Sequence, residues 1–240
     1  MSLFKTQLRR RELVAERTMA FHFERPSGLQ FRAGQTLDLT LINPPETDAE
    51  GNTRTFSITS APLDTDLVIA TRMRNSAFKR VLASAPLGTS VDADGPMGSF
   101  TLHHNVTKPA VFLAGGIGIT PFRGMIHDAG ARSLAQQLWL FYSNHRPEDA
   151  AFLDDLQKVA SITPSFHFVP TMTKMAESKE PWRGETGVIN REMMNRHLLN
   201  VHESVYYVAG PPAMVTAMHG MLLAAGVDED DVRSEEFAGY

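Results

Sequence analysis

The chain has 240 residues, more than the ~100 to 150 typical of one domain, which favours two domains with a core large enough to need no disulfide or metal staple. It contains no cysteine, and this excludes a disulfide framework, a thiolate zinc site, a cysteine nucleophile and an iron-sulfur cluster on its usual thiolates. A net charge of -4 with 42% hydrophobic and 21% charged residues is that of an ordinary globular protein, excludes coiled coil and wholesale disorder, and argues against a duplex nucleic-acid binder.

The opening residues, Met1 through Glu12, carry positive charge without an apolar run long enough for a signal-peptide core. No later window reaches the ~18 apolar residues of a spanning helix, so the expected location is the cytoplasm, away from membranes. Strand candidates follow at Leu8 to Ala15 and Met19 to Glu24. Over Thr36 to Leu41 strict alternation puts three leucines on one face of a half-buried strand. Further candidates are Arg54 to Ser60, Leu67 to Met73, Ser90 to Ala93 and Ser99 to His103, with one helical insert at Ala77 to Ser84 and a polar loop from Asn43 to Thr53. This spacing predicts a small antiparallel barrel.

After residue 105 the pattern changes. Ala110 to Ala114 is a continuous apolar run ending in glycines, which suits a strand covered on both faces. Similar strands at Leu138 to Tyr142, Phe166 to Val169 and Val205 to Ala209 alternate with helices near Pro121 to Ala129, Pro147 to Ala160, Arg191 to Leu199 and Pro211 to Ala225, predicting βαβ units on a parallel sheet. The expected division is a barrel domain over 1–106 and an α/β nucleotide-binding domain over 107–240.

The sharpest local signal is Gly115-Gly116-Ile117-Gly118-Ile119-Thr120-Pro121, after a strand and opening a helix. Glycines let backbone approach a ligand closely, while Thr120 as N-cap and Pro121 at the first helical position start a helix whose free N-H groups favour an anion such as a dinucleotide pyrophosphate. A strict dinucleotide fingerprint has a third glycine where Pro121 stands, so this is a variant. On the strand Arg54-Thr55-Phe56-Ser57, alternation projects Arg54 and Phe56 together and Ser57 oppositely. Nine histidines show no zinc spacing, so no metal is expected; a serine hydrolase lacks its Gly-x-Ser-x-Gly elbow.

Taken in order, Arg54-Thr55-Phe56-Ser57, Gly95-Pro96-Met97-Gly98-Ser99-Phe100, the glycine turn at 115–121 and Ala209-Gly210-Pro211-Pro212 resemble the ferredoxin-NADP reductase family of flavoenzymes over nearly the whole chain. That resemblance implies an N-terminal antiparallel Greek-key β-barrel holding FAD and a C-terminal domain holding NADPH or NADH. It implies Arg54 on the flavin phosphate, Phe56 against the isoalloxazine and Ser57 beside flavin N5. Ser76 and the Ala77 amide are the candidates for a phosphate segment, although the glycines common before that serine are missing; Arg72 assists, and Thr71 meets the ring through its backbone. Gly210 and Pro211 flank the nicotinamide, with Ala209 where many members have cysteine, and Met214 reads as core.

No acidic residue ends the second strand of the nucleotide domain; Ser143 and Arg146 there lean the coenzyme toward NADPH. By the same resemblance Glu235 is a proton-relay candidate, Phe237 packs on the flavin and Tyr240 covers the adenine end. The expected activity is hydride transfer between NAD(P)H and bound FAD, with electrons passed to a separate carrier such as ferredoxin or flavodoxin. Arg9 to Arg11, Arg72, Arg74, Lys79 and Arg80 are the candidate docking face. A free-flavin reductase and a non-catalytic flavin-binding electron conduit stay open as alternatives.

Overall fold

The leucine alternation at Thr36–Leu41 becomes a strand whose Leu37, Leu39 and Leu41 are buried while Thr36, Asp38 and Thr40 are half-buried. In the computed structural model, which describes residues 2–198 and 200–237, it is β3 of a six-stranded antiparallel sheet. Its members are β1 (Ser2–Ala15), β2 (Thr18–Glu24), β3, β4 (Thr53–Ser57), β5 (Asp66–Arg72) and β6 (Ser90–Met97), in the order β4-β3-β6-β1-β2-β5. β1 turns the corner: Ser2 to Gln7 pair with β6 and Leu8 to Ala15 with β2, with register irregularities at Leu8/Arg10 and Leu13/Ala15 that bend it. The Thr59 N-H donates to the Val68 carbonyl at 2.8 Å, bringing the chain beyond β4 against β5. Helix α1 (Ala77–Ser84) adds Phe78 and Leu82 to the barrel core of Phe21, Leu39 and Ile69.

The second sheet is wholly parallel, in the order β10-β9-β8-β7-β11-β12. It comprises β7 (Ala110–Gly115), β8 (Leu138–Asn144), β9 (Phe166–Met172), β10 (Glu185–Thr186), β11 (Val205–Gly210) and β12 (Val232–Glu236). Between them run α2 (Ile119–Ala131), α3 (Leu153–Ile162), α4 (Arg191–His197) and α5 (Pro212–Ala224). Every residue of β7 and β11 is buried, as a strand with helices on both faces requires. Period two divides β7 cleanly: Ala110, Phe112 and Ala114 enter one apolar cluster, and Val111 and Leu113 the other, with Val215 and Leu222 of α5. The first cluster also takes Ala20, Ala33, Val68 and Ala70 from the barrel, so the two halves share a core. Gly124 of α2 meets the barrel backbone there, where a Cβ would stand 3.0 Å from the Ser60 carbonyl oxygen.

Three expectations change. Ser99 to His103 is not a strand: the Thr101 carbonyl accepts from Arg233 at 2.9 Å and the His103 N-H donates to the Tyr207 hydroxyl at 2.7 Å, so these backbone groups serve the interface between halves instead of a ladder. The helix after the glycine turn starts at Ile119, following a 3-10 turn over Gly116–Gly118, and Thr120 is no N-cap: its hydroxyl donates to the Ile117 carbonyl at 3.0 Å. The stretch from Pro147 divides into a 3-10 turn at Pro147–Asp149 and α3, separated by Phe152 at φ 60°. Leu199 and Tyr240 lie outside the described residues. Among those described, no helix is long and apolar enough to cross a membrane, and no cluster of three or more metal-binding side chains occurs.

Candidate cofactor clefts

The C-terminal ends of β4 and β5, the start of α1 and the turn after β7 converge on a cleft of about 550 Å³. Arg54, Phe56, Ser57, Thr71, Arg72, Ser76, Ile117, Thr120 and Phe237 all line it. One end is cationic: Arg54, Arg72, Arg74 and Lys79 border the cleft together with the carboxylate Glu50. Burial, and then the neighbouring Arg74 and Arg54 guanidinium groups, hold the Lys79 ammonium below its ordinary pKa. Apolar surface comes from Phe56, Ile117 and Phe237, and behind Phe56 the Phe78 ring, 5.8 Å away, also lies 5.3 Å beneath the Arg54 guanidinium.

Ser57 is 4% exposed, yet its Oγ has no hydrogen-bond partner, and the buried Arg72 Nε has none either. Buried polar atoms are almost always paired, so these two are the ones a ligand would complete. Ser76 caps α1, its Oγ accepting from the Lys79 amide at 3.4 Å. The Ala77 amide, expected on a phosphate, donates instead to Asp48 Oδ2 at 2.9 Å.

A second cleft of about 410 Å³ opens on the other side of the same turn. Gly115, Gly116, Ser143 and Pro211 line it, as the sequence predicts, and Arg72 borders both clefts. Its far wall is apolar, formed by Val188, Ile189, Met214, Ala217 and Met218. Met214, read from sequence as core, packs on the apolar cluster beneath α5 and also faces this cleft. Gly210 is buried, and a Cβ on it would stand 3.1 Å from the Gly115 nitrogen; Gly118 packs on the Ala209 carbonyl, and Pro121 is buried in α2. These three shape the turn from behind.

Arg146 does not reach this cleft. Its guanidinium binds Asp149 at 2.8 and 2.9 Å and Glu16 at 2.6 Å, hydrogen bonds that raise its pKa still further. Asn144 is a site residue the sequence reading missed. It lines the cleft at 5% exposure with neither carboxamide atom partnered; an amide at the end of an apolar strand was the signal available. Glu235 is not among the residues lining either cleft. It pairs in register with Ala209, its Oε2 is buried and unpartnered, and burial pushes its carboxyl up to about 7.

The residues of the expected docking face already have partners or cleft positions, with Arg9, Arg10 and Arg80 still about half exposed. Arg9 pairs with Glu24, Arg10 with Glu12 and Arg80 with Glu46; Arg11 donates to the Ala83 carbonyl, and Arg72, Arg74 and Lys79 line the first cleft.

The chain is thus an antiparallel barrel joined to a parallel α/β sheet, with one glycine turn between two clefts. Residues 112–220 match the model of the oxidoreductase NAD-binding domain. The chain is 26% identical over 217 residues to the reductase component of propane 2-monooxygenase from Mycolicibacterium goodii, covering 88% of this chain and 60% of the relative; it thus spans three fifths of that protein's length. Among solved structures it resembles the FAD/NAD-binding domain of a nitric oxide dioxygenase from Vibrio cholerae, with TM-score 0.84 and 17% identity over 97% of this chain and 98% of the other. It also resembles a ferredoxin NADP+ reductase from Neisseria gonorrhoeae with bound FAD and NADP, with TM-score 0.79 and 20% identity over 98% of each chain. Residues 112–220 thus match an oxidoreductase NAD-binding domain, and the whole chain shares the two-part fold of these solved structures.

Proposed function

We propose that the chain is an FAD-dependent NAD(P)H oxidoreductase, with residues 1–106 holding the flavin and 107–240 the nicotinamide coenzyme, and that it delivers electrons to a separate protein. The observation that carries this reading is the division of one turn between two clefts: Gly115 and Gly116 face one, Ile117 and Thr120 the other, and Arg72 borders both. Two cofactors seated in those clefts meet at that turn. A flavin held there would supply the redox chemistry, two-electron exchange with the coenzyme and onward electron transfer.

The side chains supply binding and alignment. Arg54, Arg74 and Lys79 hold phosphate, Arg72 adds a buried donor at the junction, and Phe56 and Phe237 give the ring apolar contact. Ser57 offers a desolvated hydroxyl, where a hydrogen bond counts for more than in water. Glu235, its carboxyl pushed up to about 7 by burial, can take up and release a proton near neutral pH without lining either cleft.

NADH is the coenzyme we favour, reversing the lean of the sequence, because Arg146 is saturated by Asp149 and Glu16. The external acceptor is a small electron carrier such as a ferredoxin or flavodoxin, or an oxygenase component. The reductase-component relative supports it. A free-flavin reductase is the second reading, favoured by the carboxylate already seated on Arg54. Incubation with FAD followed by gel filtration tests the proposal: flavin travelling with the protein supports it, flavin lost to the small-molecule fraction favours the second reading, and no binding at any concentration rejects both.

A further inference from the structure

The segment between β3 and β4 carries acids at alternate positions, Glu46, Asp48 and Glu50; Asp48 and Glu50 are anchored on Arg54 of the first cleft, and Glu46 on α1 outside it. Glu46 binds Arg80 of α1 at 2.6 and 2.9 Å. Asp48 Oδ1 lies 3.0 Å from Arg54 Nη2, and its Oδ2 accepts from the Ala77 amide at 2.9 Å. Glu50 adds a second carboxylate to the same Arg54 nitrogen at 2.9 Å. One carboxylate thus takes a guanidinium and a helix N-terminal amide together, the pair of donors a flavin phosphate would use. Arg54 is held in place, its side chain only 17% exposed, with three further hydrogen bonds from Nη1 to the carbonyls of Glu50, Gly51 and Thr53.

We propose that Asp48 is an internal competitor for the flavin phosphate: a strap that must release Arg54 and Ala77 before a phosphorylated flavin seats fully. This rests on the flavin reading above and names its regulation. Asp48 and Glu50 already crowd the Arg54 guanidinium, and Asp48 alone also takes the Ala77 amide, so a phosphate brought to both donors meets carboxylate repulsion and the strap weakens ligands that carry phosphate at that end. Riboflavin, which has the ring and no phosphate, does not contest the seat. Asp48 therefore sets selectivity among flavins as well as affinity.

The test is titration of flavin-free protein with FAD, FMN and riboflavin, read by flavin fluorescence, for the parent, Asp48→Ala and Asp48→Asn. Circular dichroism confirms that each variant is folded; Asp48→Asn keeps the shape of the side chain should the alanine variant fail to fold. Removing the charge is expected to lower the Kd for FAD and FMN by about tenfold, the scale of one lost charge-assisted competitor, and to change that for riboflavin by less than about twofold. Equal or weaker FAD binding by the variants overturns the strap while leaving the flavin reading intact, as does equal tightening of riboflavin. No binding of any flavin by the parent or either variant overturns both.

Discussion

Gly118 packs against Ala209 so closely that a Cβ on it would stand 2.2 Å from the Ala209 carbonyl oxygen. The turn after β7 is thereby pinned to the end of β11, and the distance between Gly116 and Pro211 across the second cleft follows from that contact.

Gly118→Ala is expected to destabilise the protein by about 2 to 3 kcal/mol, because backbone on both sides must move. Differential scanning calorimetry checks it, with a fall in Tm of roughly 4 to 12 °C. Gly115→Ala differs: its Cβ would meet the Met214 sulfur at 2.3 Å and the Pro211 Cδ at 3.0 Å, side-chain atoms of which the nearer belongs to a flexible chain. That variant is expected to keep most of its stability and to raise KM for the coenzyme.

Ser57→Ala separates function from stability. The unpartnered buried hydroxyl contributes nothing favourable to the flavin-free fold, so its removal is expected to leave stability unchanged or raise it by up to about 1 kcal/mol. Reduction of bound flavin by coenzyme is expected to slow by about a hundredfold. Thermal melts and stopped-flow traces on one preparation measure both.

Glu235 makes stability fall with rising pH. Burial raises its folded pKa from 4.5 to about 7, so the folded protein binds more protons than the unfolded chain between those values. Its contribution is complete below pH 4.5 and is lost as pH climbs through about 7. Glu235→Gln is expected to flatten this part of the profile, seen as a gain in stability over the parent that grows from pH 5 to pH 8 in urea melts.

Coenzyme choice turns on Arg146 and Asn144. Arg146→Ala is expected to leave the ratio of kcat/KM for NADH and NADPH unchanged within about twofold, since its partners are Asp149 and Glu16. Asn144→Ala, which removes an unpartnered buried amide from the cleft, is expected to raise KM by about tenfold for either coenzyme without lowering stability. Steady-state kinetics with both coenzymes provide the check.

Much of the architecture is legible in the sequence because its signals are local. The leucine alternation gives β3, the apolar run before Gly115 gives β7, and α1 falls on Ala77–Ser84 as expected. What escapes is tertiary. In β12, Val232 is followed by Arg233, Ser234, Glu235 and Glu236, a segment without a strand pattern that becomes one only on the β11 ladder. Ser99 to His103 has the pattern and loses the ladder to Arg233 and Tyr207. The same holds for the clefts: glycine and serine motifs name their linings, but Asp48 reaches Ala77 across 29 residues, and Arg146 is neutralised by Glu16 across 130. No spacing rule joins such pairs.

The central claim is that the two clefts seat a flavin and a nicotinamide in contact through one turn. Anaerobic addition of NADH to FAD-reconstituted, gel-filtered protein, followed in the visible spectrum, tests it directly. The expected result is loss of the flavin band in proportion to NADH added, faster than with NADPH. Protein that retains its flavin yet stays fully oxidised with both coenzymes would contradict it.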